Sequence, residues 1–138
     1  MTTALLRFGL SAGIEAAIGA DSLPKGRVMT TTYTDKVRKL NDTFRKTLAG
    51  GQSCFTAGAF ALGMNFTAAA VAAVQNFDAF TPDNDSYGEH DFGCVTVCEQ
   101  KLFWKIDYYD LSLQYGSKDP SDAAQTARVM TIMLPEEY

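Results

Sequence analysis

The chain has 138 residues, of which 46% are hydrophobic and 20% charged, and this composition excludes an intrinsically disordered protein and fits about one globular domain. Its 16 acidic and 12 basic residues give a net charge of −4, which argues against non-specific binding to DNA or RNA. The odd number of cysteines, three, prevents complete pairing within one chain and favours a reducing cytoplasm.

Residues 1–34 are predicted to form an N-terminal appendage and linker. Large apolar residues recur at four-residue spacing over residues 6–18, which is typical of a short helix. Residues 21–34 contain proline, glycine and a run of threonine, which is typical of a linker. Arg7 and Glu15 interrupt the apolar stretch, so we expect neither a membrane span nor a signal peptide, and we expect a cytoplasmic protein.

Residues 35–138 are predicted to form a single α+β domain that begins with a helix over residues 35–49. Apolar residues recur on one face of this helix, Thr34 suits its N-cap, and Gly50 suits its end. The helix also carries five basic residues, which we interpret as a solvated outer face: Lys36, Arg38, Lys39, Arg45 and Lys46. A second, alanine-rich helix is predicted over residues 66–77 and should pack closely on a sheet.

Strands are predicted over residues 52–57, 92–98, 101–109 and 128–134. A tight turn at Glu99 and Gln100 would join the middle two as a hairpin. Alternation then places Trp104 on the apolar face of the second hairpin strand and Lys105 on the other face. The expected fold is therefore α+β, with an antiparallel sheet of three or four strands and two main helices packed on it.

No metal site or cofactor is predicted. His90, Cys94 and Cys98 are spaced four residues apart, but on a strand this spacing separates them by roughly 13 Å, too far to share one zinc ion or to join the two cysteines. All three cysteines are interpreted as small buried hydrophobic residues in strands.

The candidate site is a polar cluster at one end of the hairpin. In the predicted register Asp91 lies opposite Tyr108, so the cluster joins the end of an acidic loop, residues 81–89, to the second hairpin strand. The candidate catalytic residues are His90, Asp91, Lys105 and Asp107. The candidate binding residues are Asp83, Asp85, Tyr87, Glu89, His90 and Tyr109. An alternative interpretation is a structural network that ties the acidic loop to the sheet.

Four motifs resemble a family of small bacterial proteins of unknown function, found mainly in alphaproteobacteria. They are TPDNDSYGEHDFG, FWKIDYYD, GSKDPSD and RVMTIMLPEEY, and the resemblance runs from Val37 to Tyr138. It implies a stand-alone domain that is often encoded on plasmids and other mobile DNA. It implies no activity, cofactor or catalytic residue.

Two classes of function follow. The first is a non-catalytic module that binds another protein, with an accessory role in mobile elements such as countering host defence. The second is a small metal-dependent hydrolase or nuclease that uses the cluster of His90, Asp91, Lys105 and Asp107. The nuclease version rests on Asp91 followed by Glu99 and Lys101, an arrangement in which two carboxylates hold Mg²⁺.

Overall fold

The computed structural model describes residues 3–4 and 31–138. The predicted helix within residues 6–18 lies outside the described residues, so the division into an appendage and a domain stays a prediction. The helices are α1 (Tyr33–Thr47), α2 (Ala57–Phe60) and α3 (Met64–Gln75), with 3-10 turns at Ala123–Gln125 and Pro135–Glu137. The strands are β1 (Thr3–Ala4), β2 (Gly51–Thr56), β3 (Phe92–Val97), β4 (Gln100–Tyr109) and β5 (Ala127–Met133).

The main sheet has four strands in the order β2-β5-β4-β3, and the two-residue β1 pairs antiparallel with the outer side of β2. The pairs β3–β4 and β4–β5 are antiparallel, as predicted, but β2 and β5 run parallel from Gly51 opposite Arg128 to Phe55 opposite Ile132. The α+β class is therefore confirmed, but the sheet is mixed and not wholly antiparallel. A third, four-residue helix, α2, also adds to the two predicted helices. The parallel pair arises because β5 returns after a long connection and inserts between β2 and β4, which local patterns do not encode.

Helix α1 begins with a capping box at Thr32, two residues before the predicted N-cap Thr34. The Thr32 hydroxyl accepts a hydrogen bond from the Asp35 amide at 3.1 Å, and the Asp35 carboxylate accepts one from the Thr32 amide at 3.2 Å. These reciprocal bonds satisfy amides that the helix leaves free. The helix ends at Thr47, and Leu48 follows in a left-handed conformation with φ of 62°.

The hairpin of β3 and β4 turns at Cys98 and Glu99, whose φ angles are 50° and 68°, and not at Glu99 and Gln100 as predicted. The register is therefore two residues away from the predicted one, and the carbonyl of Asp91 accepts from the amide of Ile106 at 2.9 Å. A shift of two residues leaves every side chain on its predicted face.

The core lies between the sheet and the helices α1 and α3. Trp104 is fully buried there, as predicted, and its ring lies against Gly93 on the neighbouring strand. Among the cysteines, Cys54 is buried, whereas Cys94 and Cys98 are exposed, so their interpretation as buried residues is wrong. In the described part of the chain, no helix combines the length and apolarity that crossing a membrane requires.

Candidate functional site

The sheet divides the predicted cluster into two groups. His90 lies on the side of the sheet that carries the helices, where it contacts α1. Lys105 and Asp107 lie on the other side, which we call the far face, because β4 alternates and Trp104 and Ile106 point into the core. The four candidate catalytic residues therefore do not converge on one point.

His90 is held by contacts on both ring nitrogens and on one ring face. Its Nδ1 lies 2.8 Å from Oδ1 of Asp42, and its Nε2 lies 3.6 Å from Oδ2 of Asp85. The ring stacks on Phe80, with ring centroids 3.7 Å apart and planes 5° apart. The amide of His90 also donates to Asp85 at 3.1 Å, so this residue fastens the acidic loop to α1.

Asp42 is shared between His90 and Arg45, which donates to the same carboxylate oxygen at 3.1 Å. Arg45 is 1% exposed, so its prediction as part of a solvated basic face is wrong. Its guanidinium donates to the carbonyls of Val74 at 2.9 Å and Phe77 at 2.8 Å, at the end of α3. A cation at this position satisfies carbonyls that the helix leaves free and interacts favourably with the helix dipole.

A second polar network lies beside the first, at the start of β5. The Asn41 side-chain amide donates to the Tyr108 hydroxyl at 2.8 Å, and that hydroxyl donates to the Glu89 carboxylate at 2.8 Å. Arg128 donates to Asn41 at 2.8 Å. Burial raises the pKa of the Tyr108 hydroxyl far above its ordinary value, and its bond to Glu89 adds to this shift while the bond from Asn41 opposes it. Tyr108 is thus a neutral structural donor.

Asp91 is a partly buried acidic residue at the end of the loop. Burial raises the pKa of its carboxyl, and the negative charges of Glu89, Asp85 and Asp107 raise it further. A raised carboxyl pKa in a polar cluster is one sign of a functional group, although structural networks produce it too.

The acidic loop itself is ordered by its own side chains. Asn84 accepts from the Thr81 amide at 2.9 Å and donates to the Ala79 carbonyl at 3.0 Å, closing the first turn of the loop. At the other end Arg38 donates to the Gly88 carbonyl at 2.8 Å. Between these anchors, Asp83 is exposed and Tyr87 is 82% exposed.

A groove of about 380 Å³ runs between this loop and the start of α1. Its walls include Arg38, Phe80, Pro82, Tyr87 and His90. Three of the predicted binding residues, Asp85, Tyr87 and His90, line this groove, whereas Asp83 and Glu89 do not.

The far face of the sheet carries the remaining candidates. Lys105 Nζ lies 3.3 Å from Oδ2 of Asp107, and both side chains are more than a third exposed. With Tyr109 they line a shallow pocket of about 340 Å³. Tyr109 therefore lies apart from the binding residues of the loop.

The nuclease arrangement does not form. Glu99 lies in the hairpin turn, and the first residue of that turn, Cys98, is seven positions after Asp91, a distance of about 23 Å at 3.3 Å per residue. Within residues 31–138, no group of three or more His, Cys, Asp or Glu side chains is placed to hold a metal ion.

Sequence reasoning missed the residues of α1 that hold the loop: Asn41, Asp42 and Arg45. One signal was available for Asn41, which falls on the apolar stripe between Val37 and Phe44 and is fully buried. A polar residue on such a stripe indicates a buried hydrogen-bond partner. Arg45 lies four residues after Asn41, at the edge of the same stripe, and is also buried. For Asp42 we find no comparable signal.

The fold and the site together define a small α+β protein in which hydrogen bonds join an acidic loop to the first helix. Residues 55–137 match the family described as "Protein of unknown function (DUF3768)", which is more than half of the chain, so the protein belongs to this family. The match begins in β2, whereas the resemblance of the motifs was expected to begin at Val37. No curated protein and no solved structure matches the chain.

Proposed function

We propose that this protein is a non-catalytic module that binds another protein through the acidic loop. The observation that carries the proposal is that Tyr87 is 82% exposed on a loop whose two ends are fixed by hydrogen bonds. A rigid loop loses little conformational entropy on binding, and tyrosine is enriched among the residues that dominate binding energy. Asp83 and Tyr87 would contact the partner.

The other predicted binding residues on the loop would support this surface and would not contact the partner themselves. Asp85 and His90 hold the backbone of the loop, and Glu89 accepts from Tyr108 inside the protein. We assign these three residues to positioning the loop. Tyr109 is not part of this surface, because it lies on the far face of the sheet.

The proposed setting is the cytoplasm of a bacterium that carries the gene on mobile DNA, where the partner would be a host protein, for example a component of host defence. This part of the proposal rests on the family resemblance of the motifs. A nucleic-acid partner fits less well, because the loop is acidic and phosphate binding depends on lysine and arginine contacts.

The test compares partners captured by the full-length protein from lysates of its native host. Wild type, Tyr87→Ala and Tyr115→Ala are used in parallel, with quantitative mass spectrometry of the bound proteins. Tyr115 is 70% exposed but lies on a different loop, so it is a matched control. We expect a protein that is retained by wild type and Tyr115→Ala and lost at least tenfold with Tyr87→Ala. Equal recovery with all three proteins contradicts the proposal.

The hydrolase alternative is favoured by one observation, the concave pocket that contains Lys105, Asp107 and Tyr109. In this alternative His90 and Asp91 play no part, because neither residue lines that pocket. Hydrolysis of a general ester or phosphodiester substrate that is lost in Lys105→Ala and kept in Tyr87→Ala would favour it over the binding module.

A further inference from the structure

The strand β3 forms one edge of the sheet, and half of its backbone groups point away from the protein. Val97 and Gln100 flank a two-residue turn, so they form a hydrogen-bonded pair, and the pattern alternates along the strand. The bond from the Ile106 amide to the Asp91 carbonyl follows the same alternation. The N–H and C=O groups of Phe92, Cys94 and Thr96 therefore point outward, and none of them has a partner among the described residues.

This edge lacks the features that normally prevent strand pairing. Proteins protect exposed edges with charged side chains, prolines or bulges. The strand Phe92–Val97 has the sequence FGCVTV, which contains no charge and no proline, and its register with β4 is unbroken over six consecutive pairs. Such an edge is a template for another strand.

The helix that lies over this edge is also uncharged. Helix α3 packs on β3, and its sequence, MNFTAAAVAAVQ, contains no acidic or basic residue. Its outward side includes Ala68, Ala69 and Ala72, which are exposed. A helix that is apolar on all sides is usually buried on all sides. The strand and the helix thus form one continuous uncharged border of the protein.

We infer that this border binds a second copy of the same chain, with β3 pairing antiparallel to β3 of the second copy across a twofold axis at Cys94. A free peptide strand would satisfy the backbone groups of β3 but would leave α3 uncovered. A second copy covers both, because its own α3 lies over its own β3. The result is a continuous sheet through two protomers, with the two α3 helices packed side by side through their alanine faces.

The strand is complementary to itself in this register. Cys94 lies opposite Cys94 of the second copy, and Phe92 lies opposite Thr96, so a large side chain meets a smaller one at each end of the pairing. Because no charged side chain belongs to the strand, no like charges meet across its six residues. No residue of β3 or α3 lines the groove beside the acidic loop, so the inference does not depend on the proposed function.

The first test is the mass of the full chain by sedimentation velocity over a range of concentrations. The proposal predicts a species of twice the 15.0 kDa chain mass that dissociates on dilution. A monomer at every concentration overturns it, and this outcome would also point to another occupant of the edge, such as residues 5–30 or a different protein.

The second test locates the axis with two cysteine variants under a thiol oxidant. In hydrogen-bonded antiparallel pairs the Cα atoms are about 5.5 Å apart, within the range that a disulfide bridges. Cys98→Ser leaves Cys94 and should give a cross-linked dimer that a reductant reverses. Cys94→Ser leaves the exposed Cys98, which in this register is far from its equivalent, and should give none. Cross-linking that is equal in the two variants, or absent from Cys98→Ser, overturns the proposed register.

The third test places two like charges at the axis. Cys94→Glu should weaken the dimer at least tenfold relative to Cys94→Ser, with circular dichroism to check that each variant folds. If Cys94→Glu fails to fold, the cross-linking comparison of Cys98→Ser with Cys94→Ser is the deciding test. Equal dimer affinity of the two folded variants overturns the inference.

Discussion

Nδ1 of His90 lies 2.8 Å from Oδ1 of Asp42, so the residue that follows the acidic loop is joined to α1, 48 positions earlier in the chain. The same carboxylate oxygen accepts from Arg45, which in turn holds the end of α3. One aspartate therefore connects the loop, the first helix and the third helix. A substitution in any one of these elements should affect the contacts of the other two.

The first prediction is that His90→Ala loosens the acidic loop without unfolding the protein. The variant loses the contacts with Asp42 and Asp85 and the stacking on Phe80. Hydrogen bonds to charged groups contribute about 1.5–3 kcal/mol, so hydrogen exchange over residues 83–89 should become roughly tenfold faster or more. Hydrogen exchange with mass spectrometry measures this directly.

A control separates side-chain loss from backbone strain, because His90 has a positive φ of 55°. Asparagine adopts this conformation more readily than alanine, yet it cannot reproduce the ring contacts. His90→Asn should therefore loosen the loop while destabilising the protein less than His90→Ala. Unchanged loop protection in both variants would show that His90 does not order the loop.

The second prediction concerns the buried cation at the centre of the network. Arg45→Met leaves the Asp42 carboxylate without this partner and leaves the carbonyls of Val74 and Phe77 unsatisfied. Breaking a buried charged network usually costs about 3–5 kcal/mol. The matched control is Lys46→Met on the next, exposed residue, for which a change of at most about 0.5 kcal/mol is expected. Urea denaturation compares the two, and equal losses would contradict the assignment.

The third prediction concerns Trp104 and Gly93. Trp104→Ala should cost about 3–5 kcal/mol, because the ring is fully buried. A Cβ at position 93 would lie 2.5 Å from Nε1 of Trp104, so Gly93→Ala should cost about 1–3 kcal/mol by overpacking.

The double variant tests this contact. When Trp104 is alanine, the added methyl group at position 93 has room, so the two losses should sum to more than the loss in the double variant. Thermal denaturation followed by circular dichroism measures all three variants, because two of them lack the only tryptophan. Strict additivity would show that the glycine is not required by the indole ring.

The parts of the fold that sequence predicted are those that depend on neighbours along the chain. The stripe that contains Val37 and Phe44 identified the buried side of α1, and alternation identified both faces of β4, including Trp104 and Lys105. Even with the turn misplaced, the shift of two residues preserved the faces, because side chains alternate with a period of two.

The parts that sequence did not predict depend on partners far apart in the chain. Nothing local to β5 indicates that it inserts parallel to β2, and nothing local to His90 identifies Asp42 as its partner. The charge of Arg45 suggested a solvated position, although Arg45 lies four residues after Asn41 at the edge of the buried stripe, and the end of α3 covers it. The prediction also assigned His90 and Lys105 to one cluster, whereas the sheet separates them.

The last prediction follows from the raised pKa of Asp91. Burial, then the charge of Glu89, favours the protonated form in the folded protein, whereas the unfolded chain releases this proton near the ordinary pKa of about 3.9. Between these two pKa values the folded state binds more protons than the unfolded state, so stability from this group falls as pH rises. At pH values above both pKa values, the loss of stability from this group is complete and constant.

Asp91→Asn removes this pH-dependent loss of stability. The variant should match wild type below about pH 3.9 and become progressively more stable than wild type as pH rises, with its full advantage at neutral pH. Asp110→Asn is a control for which we expect the opposite change in stability at neutral pH. Hydrogen bonds, first that from the Ser112 hydroxyl, lower the pKa of Asp110. That variant should be less stable than wild type at neutral pH, and its deficit should shrink as pH falls. Melting temperatures of the three proteins across this range decide the matter, and an Asp91→Asn protein no more stable than wild type at neutral pH would show that the folded protein compensates the Asp91 charge.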